Sequence, residues 1–109
     1  MTRKQSDNLY GRRLRQARES YGFKQRELGV AAGLDYSAAG TTVSRYENGV
    51  HQAKPGLQKR FAQVLELPLS FFFTEDEEEA RLIAESERSN KPARTLIETK
   101  KIIAQMKRL

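Results

Sequence analysis

Apolar residues recur every three or four positions along most of the chain. No segment shows the apolar-polar alternation of a half-buried strand. The pattern is that of an all-α protein. Leu9, Leu14 and Ala17, with polar residues between them, predict a first helix over residues 7–20. Ser6 or Asp7 can cap its start, and Tyr21-Gly22 ends it, glycine being suited to a left-handed C-cap. KQRELGVAAG (24–33) reads as a second short helix that buries Leu28, Ala31 and Ala32 and stops at Gly33. A glycine at position 29, inside that helix, costs roughly 1 kcal/mol against alanine, so it points to another backbone coming close. LDYSAAG, with its small and polar residues, reads as a turn longer than the minimum. A third helix is expected over residues 41–48, with Gly49 just past its end. VHQAKPG is a loop in which Pro55 suits a helical first turn. Leu57, Phe61, Val64 and Leu65 carry a fourth helix to about residue 66. Leu67-Pro68 breaks it, and LSFFFT follows as a short fifth helix or turn whose phenylalanines close the core.

The composition changes at Thr74. TEDEEEARLIAESER is acidic at its front, as a helix N-terminus prefers, with Thr74 as the expected cap. SNKP interrupts it, and residues 93–109 form a final amphipathic helix. Leu96, Ile103 and Met106 share its apolar stripe, flanked by Ile102 and Leu109. The predicted organisation is a domain over residues 1–73 and a helical extension over 74–109.

Charge follows the same division. The chain has 109 residues and a formal net charge of +6. Residues 1–60 hold twelve Lys/Arg against five Asp/Glu, residues 61–90 two against eight, and residues 91–109 six against one. A basic block beside an acidic one fits a polyanion-binding surface on one part of the molecule; a merely solvated basic surface fits the total equally well. Absence of cysteine removes disulfides, thiolate metal sites and a cysteine nucleophile, and agrees with a reducing compartment. His51 is the single histidine, so no site with several imidazole ligands is possible within one chain. No paired carboxylate or nucleophile stands near His51 in a catalytic pattern, and no phosphate loop is visible. An enzyme, a metal site and a cofactor are therefore not expected. There is no long apolar run for a membrane span, and MTRKQSDNLYG is not a signal peptide, so a cytoplasmic location is expected.

Two short helices that meet at a small residue, then a turn, then a helix with a polar outward face form a helix-turn-helix pattern. Its second helix is suited to the major groove of DNA. Residues 9–73 resemble the lambda-repressor-like, Cro/Xre-type helix-turn-helix family. The resemblance runs through LYGRRLRQARESYGFKQRELGVAAG, then VSRYENG, then KPGLQKRFAQVLELPLSFFF. It implies a five-helix DNA-binding domain whose partner is double-stranded DNA.

The resemblance also implies roles. Gln25 matches a glutamine that holds a DNA phosphate. Thr41, Ser44 and Arg45 match outward positions of the recognition helix, and Arg45 has the forked donors to take guanine O6 and N7. Thr42 matches a contact to the backbone or a thymine methyl. Val43 and Tyr46 belong to the core. Glu47 matches a glutamate that pairs with an arginine of the first helix, here Arg18, as a structural ion pair. Asn48, His51, Gln52 and Lys54 follow the recognition helix, where phosphate contacts are usual. The chain departs from the family pattern in a longer turn before Val43, in Gly29 where alanine is usual, and in Glu66 where a helix-ending glycine is usual. Gly40 falls where relatives carry a base-reading side chain.

The implied function is a sequence-specific transcriptional regulator, a repressor of bacterial or phage type. It would act as a homodimer joined through Leu96, Ile103 and Met106, because such proteins commonly bind two half-sites. The alternatives are an antitoxin that neutralises a toxin partner and represses its own operon, and a protein-interaction module without DNA binding. The basic N-terminal block argues against the last.

Overall fold

The computed structural model describes residues 8–89, with the side chains of the last two left aside. Among the described residues there are five α-helices, one 3-10 helix and no strand. They are α1 (Leu9–Ser20), α2 (Gln25–Ala31), α3 (Tyr36–Glu47), α4 (Pro55–Leu65), the 3-10 helix Leu69–Phe73, and α5 (Glu77–Ser89). The all-α fold and the order of elements follow the sequence expectation. The stripe Leu96, Ile103 and Met106 lies outside the described residues, as do the caps expected at Ser6 and Asp7.

α1 to α4 end in one way. A residue with left-handed backbone follows each helix, and two backbone hydrogen bonds fold the chain back over the last turn. Gly22, Gly33 and Gly49 take that position after α1, α2 and α3, with φ of 85°, 98° and 76°. The closing bonds run from Phe23 to Arg18, from Leu34 to Gly29 and from Val50 to Arg45. After α4 the position is held by Glu66, with φ 59°. This is where the sequence departed from the family's glycine, and the backbone there is strained. The Tyr21 hydroxyl donates to the Glu66 carboxylate at 2.9 Å and fixes the residue in place.

The core runs from Leu14 and Ala17 of α1 through Leu28, Val43, Phe61 and Leu65 to Phe71 and Phe72. Tyr10, rather than Leu9, is the buried residue of the first turn. Its ring lies 5.6 Å from those of both Phe72 and Phe73. Burial pushes its hydroxyl pKa up, with Tyr46 adding to the effect. Phe73, expected in the core, is half exposed. In α2 Val30 is buried where Ala31 was expected, because the helix turns Ala31 to the edge of the core.

α3 seats in two notches made by glycines. A Cβ at Gly29 would stand 2.7 Å from the Ala39 Cβ and 3.0 Å from the Ala39 carbonyl oxygen. The close backbone expected at Gly29 is therefore α3. A Cβ at Gly11 would stand 2.5 Å from the Glu47 carbonyl oxygen and 2.7 Å from that of Tyr46. α1 thus meets the far end of α3 at similarly close range. Asn8, beside this contact, donates its side-chain amide to the Glu47 carbonyl at 2.9 Å instead of capping α1.

The long turn expected from LDYSAAG is absent. The connector spans residues 32–35, and α3 starts at Tyr36, five residues before the predicted Thr41. Asp35 supplies the cap: its carboxylate accepts from the Ser37 amide at 3.3 Å and from the Ser37 hydroxyl. Two alanines then propagate the helix, and Gly40 continues it with ordinary helical backbone.

α5 is tied down by an arginine that periodicity did not single out. Arg13 of α1 is fully buried. Its guanidinium donates to the carbonyls of Thr74 at 2.9 Å and Glu75 at 3.0 Å, to Gln16 at 2.8 Å and to the Glu77 carboxylate at 3.0 Å. The cap of α5 is Asp76, which accepts from the Glu79 amide at 2.8 Å. Thr74, the expected cap, instead donates its hydroxyl back to the Ser70 carbonyl and closes the 3-10 turn.

Two stability outcomes follow. Gly29→Ala forces the α2–α3 contact apart and is expected to lower stability by about 1–3 kcal/mol. Gly40→Ala, whose Cβ meets only ordinary contacts at 3.5 Å or more, is expected to raise it by about 0.5–1 kcal/mol; urea titration of both variants checks the opposite signs. The second concerns acid. Hydrogen bonds from Arg13, and then Gln16, hold the Glu77 carboxyl below the usual carboxylate range. A lowered folded-state pKa gives stability that is present above the unfolded value and lost as pH falls through the folded one. Glu77 is mostly exposed, so the effect is small. Thermal melts of wild type and Glu77→Gln should differ near neutral pH and converge below about pH 4.

Candidate nucleic-acid interface

α3 has two unlike faces. Ala39, Val43 and Glu47 are buried, and half-buried Tyr46 packs edge-on to Phe61 with ring centroids 6.1 Å apart. These spacings of three and four put all of them on one side of the helix. Ser37, Thr41 and Arg45 stand at i, i+4 and i+8 on the opposite side, and all three are exposed. Ala38 and Asn48 widen that face.

The predicted residues fall around this face unevenly. Thr41 and Arg45 lie at its centre. The Arg45 side chain makes no hydrogen bond or ion pair among the described residues, so its five donors face outward unengaged. Ser44 is half-buried at the margin, where its hydroxyl accepts from the Asn48 amide at 3.3 Å. Thr42 sits on the flank between the outward and buried sides and is partly covered. Gly40 is not on the outward face: its missing side chain points toward Arg26 of α2, whose Cβ lies 3.5 Å from the position a Cβ would take. His51, Gln52 and Lys54 are exposed in the segment that leaves α3 and enters α4. Sequence reasoning placed Tyr36 and Ser37 in a turn, so it could not assign them to this helix. The signal was available in Asp35, a strong N-cap two residues past Gly33.

What holds α3 in this attitude is a buried ion pair. The Arg18 guanidinium meets the Glu47 carboxylate through two bonds, at 2.5 and 3.2 Å. A third Arg18 donor reaches the Phe23 carbonyl at 2.9 Å. Gln25 donates its amide to the same Glu47 carboxylate at 3.0 Å. The Glu47 side chain is 3% exposed. Gln25, expected to hold phosphate, thus has its donor group turned inward. The backbone amide of Lys24, just before it, donates to Glu27 at 2.8 Å.

Among the described residues no group of histidines, cysteines or acids could hold a metal ion. No described helix is long and apolar enough to cross a membrane.

Comparison with known proteins agrees with the geometry. A family model described as a helix-turn-helix domain matches residues 9–70. Among solved structures, the crystal structure of the transcriptional regulator BswR is similar, with a TM-score of 0.68 and 26% sequence identity. The match covers 91% of this chain and 93% of that one. No curated protein matches the sequence.

The ion pair generates a prediction. Glu47→Ala strands the Arg18 guanidinium and the Gln25 amide in the interior, and a loss of about 3–5 kcal/mol is expected in chemical denaturation. Replacing both partners by apolar residues, Arg18→Met with Glu47→Leu, should recover a large part of that loss.

Proposed function

The chain belongs to the helix-turn-helix domain family, and we propose that it is a sequence-specific transcriptional regulator that lays α3 in the major groove of its operator. The single observation that carries this reading is the two-sided character of α3. Ala39, Val43 and Glu47 lock one side, while Ser37, Thr41 and Arg45 are presented on the other. A helix held so rigidly keeps its outward side chains in register with base edges.

Different residues then do different work. Arg45 takes guanine through O6 and N7, and Thr41 meets an exocyclic group or a thymine methyl one turn earlier. Ser44 and Thr42 border the groove. Lys54, His51 and Asn48 follow the helix and contact phosphate, which fixes orientation without reading sequence. With its amide on Glu47, Gln25 contributes mainly by holding α3, and its exposed edge lies beside the phosphate backbone.

The proposed mode of action is repression, in which an operator occupied by the domain is closed to polymerase. A regulator of this kind binds as a homodimer over two half-sites about one helical turn apart. The apolar stripe Leu96, Ile103 and Met106 is the proposed dimer contact, and a cytoplasmic location follows from the DNA partner.

The test is a duplex selected from random sequence by the full-length wild-type chain, followed by mobility shift. Arg45→Ala should relax preference at one or two base positions at a cost of about 1–3 kcal/mol. Lys54→Ala should weaken all duplexes alike and lower the salt slope by about 1. Unchanged selection with Arg45→Ala would remove α3 from the recognition surface.

A further inference from the structure

Base reading through Thr41 and Arg45 does not account for the first turn of α3, nor for the glycine inside the helix. We propose that Arg26 of α2 is a DNA phosphate contact, held in place by Tyr36 and Gly40 of α3. The proposal rests on the DNA-binding reading above and adds to it a contact on the flank of α3.

Three observations converge on this flank. The Arg26 guanidinium lies over the Tyr36 ring, with its carbon 4.8 Å from the ring centroid. Tyr36 is 43% exposed, so the stack stands at the surface and not in the core. Gly40 is one turn beyond Tyr36 on the same flank, and the Arg26 backbone runs past it at 3.8 Å from a would-be Cβ. A long or branched side chain at position 40 would stand in the path that Arg26 takes to the ring.

Several arginines of the fold are already engaged by acids. Arg13, Arg15, Arg18 and Arg81 each bond a carboxylate. Arg26 bonds none among the described residues. A guanidinium held over a ring by its positive charge keeps its N–H donors available for a further partner. A planar fork with available donors and no internal anion fits a phosphate oxygen pair. Exposed arginines usually sample many rotamers, and ordering one costs entropy when it binds. The Tyr36 ring removes part of that cost in advance.

Position supports the same ligand. α3 is twelve residues long, about 18 Å at the helical rise. Arg26 stands beside its first turn, and Lys54 follows its last. Arg26 thus puts a cation beside the start of the helix proposed to enter the groove, whose borders are phosphate strands.

The experiment uses the full-length chain and the duplex selected by wild type, with affinity read by fluorescence anisotropy over a range of salt. Arg26→Ala is expected to weaken binding about 5- to 10-fold for every duplex and to lower the salt slope by about 0.9. Tyr36→Leu should weaken it about 2- to 5-fold, whereas Tyr36→Phe, which keeps the ring, should bind as wild type. Combining Arg26→Ala with Tyr36→Leu should be no weaker than Arg26→Ala alone, since Tyr36 acts through Arg26. Thermal melts of each variant separate a folding defect from a binding one. If Arg26→Ala keeps wild-type affinity and salt slope while Arg45→Ala loses sequence preference, this proposal falls and the DNA-binding reading stands. Additive losses from Arg26→Ala and Tyr36→Leu would overturn the positioning role. If the wild-type chain selects no duplex, the DNA-binding reading itself falls.

Discussion

The contact on which the rest depends is the carboxylate of Glu47. It sits in the last turn of α3, where the helix dipole disfavours negative charge. Its side chain is 3% exposed, and a buried carboxylate needs a cation held against it. Arg18 supplies that cation through two bonds, and Gln25 adds a third. One side chain therefore ties α3 to both α1 and α2. The Arg18 guanidinium also holds the Phe23 carbonyl, so the α1–α2 connector is set by the same group. An apolar contact could bury equal area, yet it would leave rotation of α3 about its axis weakly specified. A bidentate pair has a direction, and that direction fixes which residues face outward.

The glycines make this pairing possible. Charged groups can meet at bonding distance only if the helices carrying them approach closely. Gly11 lets α1 touch the carbonyl end of α3, and Gly29 lets α2 touch Ala39. The two notches lie at different levels along α3, so they fix its tilt, and the ion pair fixes its rotation. Arg13 does comparable work on the other side of α1. Its donors take carbonyls of the chain between the 3-10 helix and α5 that no helix satisfies. α1 thus carries two buried arginines, each turned to a different part of the fold.

Local patterns in the sequence revealed most of this architecture. Glycine stops at 22, 33 and 49 and proline at 55 are local signals, and each lies where the backbone uses it. Gly29 announced a close neighbour because a mid-helix glycine has no other local advantage. The start of α3 was misjudged because Gly40 reads as a breaker when weighed alone. Its cost of about 1 kcal/mol is small beside burial of Ala39 and Val43 on the same helix. Arg13 could not be read at all. Apart from Gln16, its partners lie more than sixty residues away, and nothing in RRLRQAR separates a buried arginine from a solvated one. The candidate site shows the same limit. The family resemblance put Thr41, Ser44 and Arg45 on the outward face, of which Ser44 lies half-buried at its margin, but whether Gln25 turned its amide inward or outward depended on Glu47, twenty-two residues on.

The additional turn of α3 changes what the outward face can do. A helix starting at Thr41 would offer only Thr41 and Arg45 along one line. Starting at Tyr36 adds Ser37 to that line, but the Ser37 hydroxyl is already engaged by Asp35. The extra turn therefore adds little direct reading. What it adds is Ala39, the residue that enters the Gly29 notch, and Tyr36, the ring beneath Arg26. Both effects act through α2. The longer helix is thus best understood as a means of locking the two helices of the pair together before DNA is met, with sequence choice concentrated in the side chains one and two turns further on.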